Sequence, residues 1–155
     1  MPHIHDKIDF TAEVFIVFDG KVLLRKHDKY KLWLSVGGHV ELDEDPTQAA
    51  VREVKEDVGL DIELLGQVIR VANEGQKGYQ ELIPPRFMNR HRVSETHEHV
   101  TMTYFGITEM DQVRNQTDEL SDELRWFTDI ELEDVSFSIL DSVKQYAKAA
   151  LRECR

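Results

Sequence analysis

The sequence predicts a mixed α/β fold in which helices cover a twisted sheet. Three observations predict it: a β-type run turns back on itself at Asp19-Gly20, a helix with recognisable caps follows at residues 46–58, and a second amphipathic segment lies last. The 155 residues make one ordinary domain, 1–155, long enough to bury a core and without internal repeats.

The first element is FTAEVFIVF, residues 10–18, rich in β-branched and aromatic side chains; Asp19-Gly20 turns it into KVLLR, residues 21–25, as a β-hairpin. A polar stretch, KHDKYK, leads to a short apolar piece from Leu32 to Val36, which Gly37-Gly38 breaks. A loop then runs to Asp45, which suits an N-cap: Pro46 fits the first helical position, and Gln48 can reach back to complete a capping box. The helix spans Pro46 to Val58, with Ala50, Val54 and Val58 toward the core, and Gly59 closes it in the left-handed conformation. Residues 62–72, IELLGQVIRVA, read as a strand with a bulge at Gly66. A long loop follows over residues 73–95, ending in RFMNRHR, and a loop of that length in a small domain is usually functional or mobile. Residues 97–108 read as a strand with Val100, Met102 and Tyr104 on one face, and ELRWF, residues 123–127, as a short one after a polar loop. The last helix covers 136–154 and turns Ile139, Val143, Tyr146, Ala147 and Ala150 inward.

Composition narrows the function. Thirty acidic against nineteen basic residues leave a formal net charge of −11, which repels polymeric nucleic acid and removes DNA and RNA strands from the expected partners. The longest fully apolar run, Val14 to Phe18, is far too short to span a membrane. MPHIHDKIDF has neither the basic nor the apolar region of a secretory signal, and Cys154 is the only cysteine, so the expected compartment is the reducing cytoplasm. Small phosphorylated molecules fit an acidic protein when metal ions bridge its carboxylates to phosphate oxygens.

The predicted helix carries a local conflict. Glu53, Glu56 and Asp57 stand at i, i+3 and i+4 on one face, a spacing at which like charges destabilise an isolated helix by roughly 0.2–0.5 kcal/mol per pair. A hard divalent cation among them reverses the sign of that cost.

Extending the stretch backward gives GHVELDEDPTQAAVREVKEDVGL, residues 38–60, with Gly38, Glu44, Arg52, Glu53, Val54, Glu56, Asp57, Gly59 and Leu60 as fixed points. This resembles the signature of the Nudix hydrolases, G-x5-E-x7-R-E-U-x-E-E-x-G-U with U a bulky aliphatic; every spacing agrees, and Asp57 stands where the second glutamate of the Glu-Glu pair is usual. The resemblance implies a Nudix-type α/β/α sandwich and hydrolysis of a nucleoside diphosphate linked to another group, by an enzyme that uses Mg²⁺ or Mn²⁺ and takes a small nucleotide or nucleotide derivative as substrate. Dimers are frequent in the family, so a homodimer is an expected assembly.

The chemistry agrees with this reading. Cleaving a phosphoric anhydride requires relief of phosphate charge, a positioned water and a base, which carboxylates holding a divalent ion supply. Glu53, Glu56 and Asp57 are the candidate metal ligands, with Glu53 also a candidate base. The family pattern gives Arg52 the task of orienting a glutamate of the box, Glu44 a place in that network, and the Gly38 carbonyl a place on the metal. An additional acid outside the box is common in the family; Glu98 is the first candidate and Glu95 the second. RFMNRHR offers Arg86 as a phosphate clamp and Phe87 as a base stacker.

Other residues read more plainly. Trp33 and Trp126 suit packing, His3 and His5 lie in a frayed end, and His97 and His99 alternate on a strand without a third ligand nearby in sequence, so they read as surface positions rather than a zinc site. The function from another class is a nucleotide-binding sensor that keeps the fold without turnover; diphosphate isomerisation would need a placed cysteine, which Cys154 is not.

Overall fold

The computed structural model describes residues 6–27, 30–69, 75–114 and 123–155. The expected frayed end with His3 and His5, and residues 70–72 of the expected strand, lie outside them. The elements in order are β1 (Ile8–Phe18), β2 (Lys21–His27), β3 (Leu32–Leu34), β4 (Val36–His39), α1 (Pro46–Val58), β5 (Glu63–Leu64), β6 (Phe87–Arg92), β7 (Glu98–Ile107), β8 (Glu123–Phe127), α2 (Asp129–Leu132) and α3 (Asp141–Glu153).

The hairpin forms as the sequence implies, with Asp19 and Gly20 both at positive φ, 47° and 73°, the pattern of a tight turn whose twist matches that of the strands. β1 then organises an eight-stranded mixed sheet. One of its edges pairs with β7 in parallel from Ile8↔Glu98 to Val17↔Ile107. The other edge is shared: β4 takes Thr11 to Val14 and β2 takes Ile16 to Phe18, both antiparallel. The outer edge of β7 is divided in the same way, β6 pairing with residues 98–103 and β5 with 106–107. β3 and β8 both pair with β2.

A period of two along β1 separates two cores. Phe15 and Val17 face α3 and pack with Phe105, Phe127, Val143 and Ala147. Ala12, Val14 and Ile16 face α1 and pack with Ala50, Val54, Val58 and Tyr104. The sheet is therefore covered by one helix on each side, the α/β/α sandwich expected from the sequence. α1 carries its predicted caps: the Asp45 side chain accepts from the Gln48 amide, the Gln48 side chain accepts from the Asp45 amide, and Gly59 sits at φ 77°.

Three expectations are corrected. RFMNRHR does not lie in a loop, because residues 87–92 form β6, which pairs with β7 and is polar from Asn89 onward. Among the described residues 62–69, the strand expected over 62–72 comprises Glu63–Leu64 with one further bond, Leu65 N to Phe105 O at 2.8 Å. It stops because the edge of β7 is already taken from Thr103 onward, beginning with Arg86 N to Thr103 O at 2.7 Å. The last helix begins at Asp141 rather than 136, and the extra turn α2 precedes it, started by a capping box between Thr128 and Glu131.

Cys154 is half-buried at the end of α3, and burial, with Glu153 beside it, pushes its thiol up to about 11. Near pH 8 the thiolate fraction then falls roughly two orders of magnitude below that of a free cysteine, and the greater nucleophilicity of a more basic thiolate returns about one. Alkylation of Cys154 by iodoacetamide is expected to run roughly tenfold slower than alkylation of glutathione, a ratio that mass spectrometry of timed samples measures directly.

Candidate active site

The site begins where β4 passes under α1. Gly37 and Gly38 lie opposite Glu13 and Ala12 of β1. A Cβ placed on Gly38 would fall 2.3 Å from Oε1 and 2.7 Å from Oε2 of Glu53. The Glu53 carboxylate thus occupies the space a side chain would need, and only glycine lets the β4 backbone approach it so closely.

Arg52 fixes the surrounding acids. Its Nε and Nη2 donate to the two carboxylate oxygens of Glu44 at 2.9 and 2.6 Å, a bidentate fork. Nη1 donates to Glu53 at 3.0 Å and to Glu56 at 3.1 Å, and Nη2 also reaches the His39 carbonyl at 3.0 Å. One guanidinium therefore ties the loop, two helical carboxylates and β4 together. The fork holds the Glu44 carboxyl below its ordinary range and raises the guanidinium above its own.

Glu53 and Asp57 are buried, 5% and 8% exposed, whereas Glu56 faces solvent. Burial, followed by the charge of Asp57, pushes the Glu53 carboxyl up against the opposing pull of Arg52. Burial likewise raises Asp57, opposed by Arg25, whose Nη1 lies 3.2 Å from Asp57 Oδ2. Five carboxylates, Glu41, Glu44, Glu53, Glu56 and Asp57, lie around two guanidiniums, Arg25 and Arg52. The acids outnumber the bases, an excess of negative charge that suits a divalent cation.

On the other side of Gly38 a cavity of about 620 Å³ opens, with Glu13, Arg25, Ser35, His99 and Tyr146 among its walls. Glu13 accepts hydrogen bonds from the Ser35 hydroxyl and, at 2.6 Å, from the Thr103 hydroxyl. The sequence reading missed this residue, although an acid inside the apolar run FTAEVFIVF was a visible signal for it.

The candidates outside the box are placed elsewhere. Glu98 is held by Arg90 through two bonds of 2.9 and 2.8 Å, which keep its carboxyl low, so it joins the β6–β7 pair and not the Arg52 network. Glu95 is exposed in the connection before β7. Arg86 pairs with Glu153 at 2.6 Å. Phe87 stacks on Tyr146 with ring centroids 4.6 Å apart, and Tyr146, with Phe15, lines the cavity where Phe87 does not. Trp33 is buried in the core, as expected. His97 is not at the surface: it is 4% exposed, beside Asp9.

Comparison with known proteins agrees with this geometry. A family model described as the NUDIX domain matches residues 9–146. The chain belongs to the Nudix family. Among solved structures, a hydrolase of the NUDIX family from Clostridium perfringens is 31% identical, with a TM-score of 0.82 over 95% of this chain and 98% of that one. The MutT NUDIX hydrolase from Burkholderia pseudomallei, 19% identical, matches at 0.63 over 97% and 100%. A bifunctional NMN adenylyltransferase/ADP ribose pyrophosphatase from Francisella tularensis, solved with AMP and a Mn ion, is 16% identical and matches at 0.63 over 98% of this chain and 43% of that one. Comparison with curated proteins found no match. This Nudix protein is a hydrolase of acid anhydrides, of a family that acts on small nucleotide derivatives. Among its described residues no helix is long and apolar enough to cross a membrane.

Proposed function

We propose that this Nudix hydrolase cleaves a pyrophosphate bond in a nucleoside diphosphate linked to another group, such as a nucleoside triphosphate or a nucleotide sugar, with Mg²⁺ or Mn²⁺. The observation that carries the reading is the Arg52 clamp, which gathers Glu44, Glu53 and Glu56 around the point where Glu53 touches Gly38. Glu53, Glu56, Asp57 and the Gly38 carbonyl would hold the metal, an all-oxygen set that suits a hard cation. When bound, the metal supplies charge neutralisation on the phosphate oxygens.

The chain's own side chains do the rest. Arg52 keeps the acids in one arrangement, so that little reorganisation accompanies the reaction. Glu53, whose basicity burial raises, accepts the proton of the attacking water at a carboxylate oxygen. The cavity beside Gly38 receives the substrate, with Glu13 as acceptor for its N–H or O–H groups and Tyr146 as an apolar wall. The Francisella tularensis enzyme was solved with AMP and a Mn ion, which supports this choice of metal and ligand class. The protein acts in the cytoplasm as a single domain, 1–155.

The test is a turnover screen over nucleoside triphosphates, nucleotide sugars and dinucleoside polyphosphates, each with Mg²⁺, with Mn²⁺ and after chelation. Metal-dependent release of two phosphorylated products from at least one class supports the reading. Binding without turnover across the panel favours the sensor and overturns it. Asp57→Glu restores the methylene usual at this position and is expected to keep hydrolysis within about tenfold of the wild type in the same assay; complete loss would mean that Arg25, not a metal, sets the length required at position 57.

A further inference from the structure

A second cluster of ligating side chains lies at the opposite end of β1 from the hairpin. Parallel pairing sets Asp9 of β1 against His99 of β7, while antiparallel pairing of β4 with β1 brings in His39 opposite Thr11. One donor atom from each of Asp9, His39 and His99 lies within 4.8 Å of the others. His97 joins them on the same Asp9 oxygen. His39 Nε2 is 3.4 Å from Asp9 Oδ2 and His97 Nε2 is 3.2 Å from it.

Burial makes the cluster unusual. Asp9 is 1% exposed, His97 4% and His39 8%. Charged N–H···O⁻ hydrogen bonds settle at roughly 2.7–2.9 Å, shorter than either separation. The edge of a tetrahedron with metal–ligand bonds of about 2.0–2.1 Å is about 3.3–3.4 Å, which both separations approach.

The orientation of His97 adds a second argument. Its Nδ1 lies 3.3 Å from the Asp6 carbonyl oxygen, which turns its Nε2 toward the Asp9 carboxylate. The rings of His39 and His97 stand edge-on to His99, with centroids 5.0 and 5.4 Å apart, so three imidazoles converge on one carboxylate.

We propose that Asp9, His39 and His99 form a transition-metal site of the Zn²⁺ class that pins β1, β4 and β7 together, with His97 held beside it on Asp9. The donor set separates it from the acids around Arg52: imidazole nitrogens favour Zn²⁺, Co²⁺ and Ni²⁺, whereas a set of oxygens favours Mg²⁺ and Mn²⁺. His39 also adjoins Gly38, so a metal here would fix the strand end from which the Glu53 contact is made. The sequence reading dismissed His97 and His99 because their partners are distant: Asp9 comes from the first strand and His39 from the fourth.

Cobalt reports the site. Chelator-stripped protein titrated with Co²⁺ is expected to develop the visible band of a four-coordinate site with two imidazoles at one equivalent, to keep it in excess Mg²⁺ and to lose it on adding Zn²⁺. Glu56→Gln, which alters only the oxygen site, should give the wild-type Co²⁺ band although its turnover falls. Asp9→Asn and His99→Gln should bind Co²⁺ at least tenfold more weakly, and Zn²⁺ should raise the melting temperature of the wild type and Glu56→Gln but of neither of these two. If Asp9→Asn does not fold, as judged by circular dichroism, the partly exposed His99→Gln carries the test alone. No band in the wild type, an unchanged band in His99→Gln, or a band lost in Glu56→Gln overturns the proposal.

Discussion

Glu53→Gln is expected to lower kcat by at least two orders of magnitude, about 2.7 kcal/mol of transition-state stabilisation, while leaving the metal-free protein as stable as the wild type or more so. The two effects share one cause. Glu53 is 5% exposed, and its burial beside Asp57 disfavours the charge it carries. Glutamine fills nearly the same volume, its carbonyl can still accept from Arg52 Nη1, and it brings no charge that must leave water. The same neutrality removes the proton acceptor and weakens the cation site. Melting curves should therefore cross: without divalent metal the variant melts at or above the wild type, and with millimolar Mg²⁺ the wild type gains more, since a ligand stabilises in proportion to its occupancy of the folded state. Wild-type turnover in Glu53→Gln would remove Glu53 from the mechanism, whatever the melting curves showed.

The part of this site that was legible in the sequence is local. Asp45, Pro46, Gln48 and Gly59 specify α1 through contacts only a few residues apart, and a helix of known phase fixes which side Glu53, Glu56 and Asp57 share. Asp19-Gly20 specifies the hairpin for the same reason. What was not legible depends on pairings between distant residues. β6 is polar from Asn89 to Arg92, and its place on the edge of β7 makes it a strand. Glu98 looked like a free acid until β6 put Arg90 beside it, and Phe87 looked like a base stacker until α3 put Tyr146 against it. Arg52 reaching the His39 carbonyl, and Asp9 meeting His99 across a parallel pairing, are likewise invisible to spacing rules.

Gly37→Ala and Gly38→Ala are expected to fail in different ways, although both add one methyl group to adjacent residues of β4. At Gly37 the new Cβ would stand 2.2 Å from the Ala12 carbonyl oxygen and 2.7 Å from the Glu13 Cα, both backbone of the central strand. Those atoms can move only if β4 parts from β1, so the loss falls on stability, roughly 1–3 kcal/mol for an overpacked core or more. At Gly38 the methyl would meet the Glu53 carboxylate, the far end of a side chain that can rotate away. Stability should then change little, while kcat falls by about two orders of magnitude, as in Glu53→Gln, because the carboxylate is present but displaced. Thermal melting and turnover, measured together on both variants, separate a strand contact from a site contact. A Gly38→Ala enzyme with wild-type kcat would show that Glu53 can do its work from a different position, and the close approach of β4 to α1 would lose its catalytic meaning.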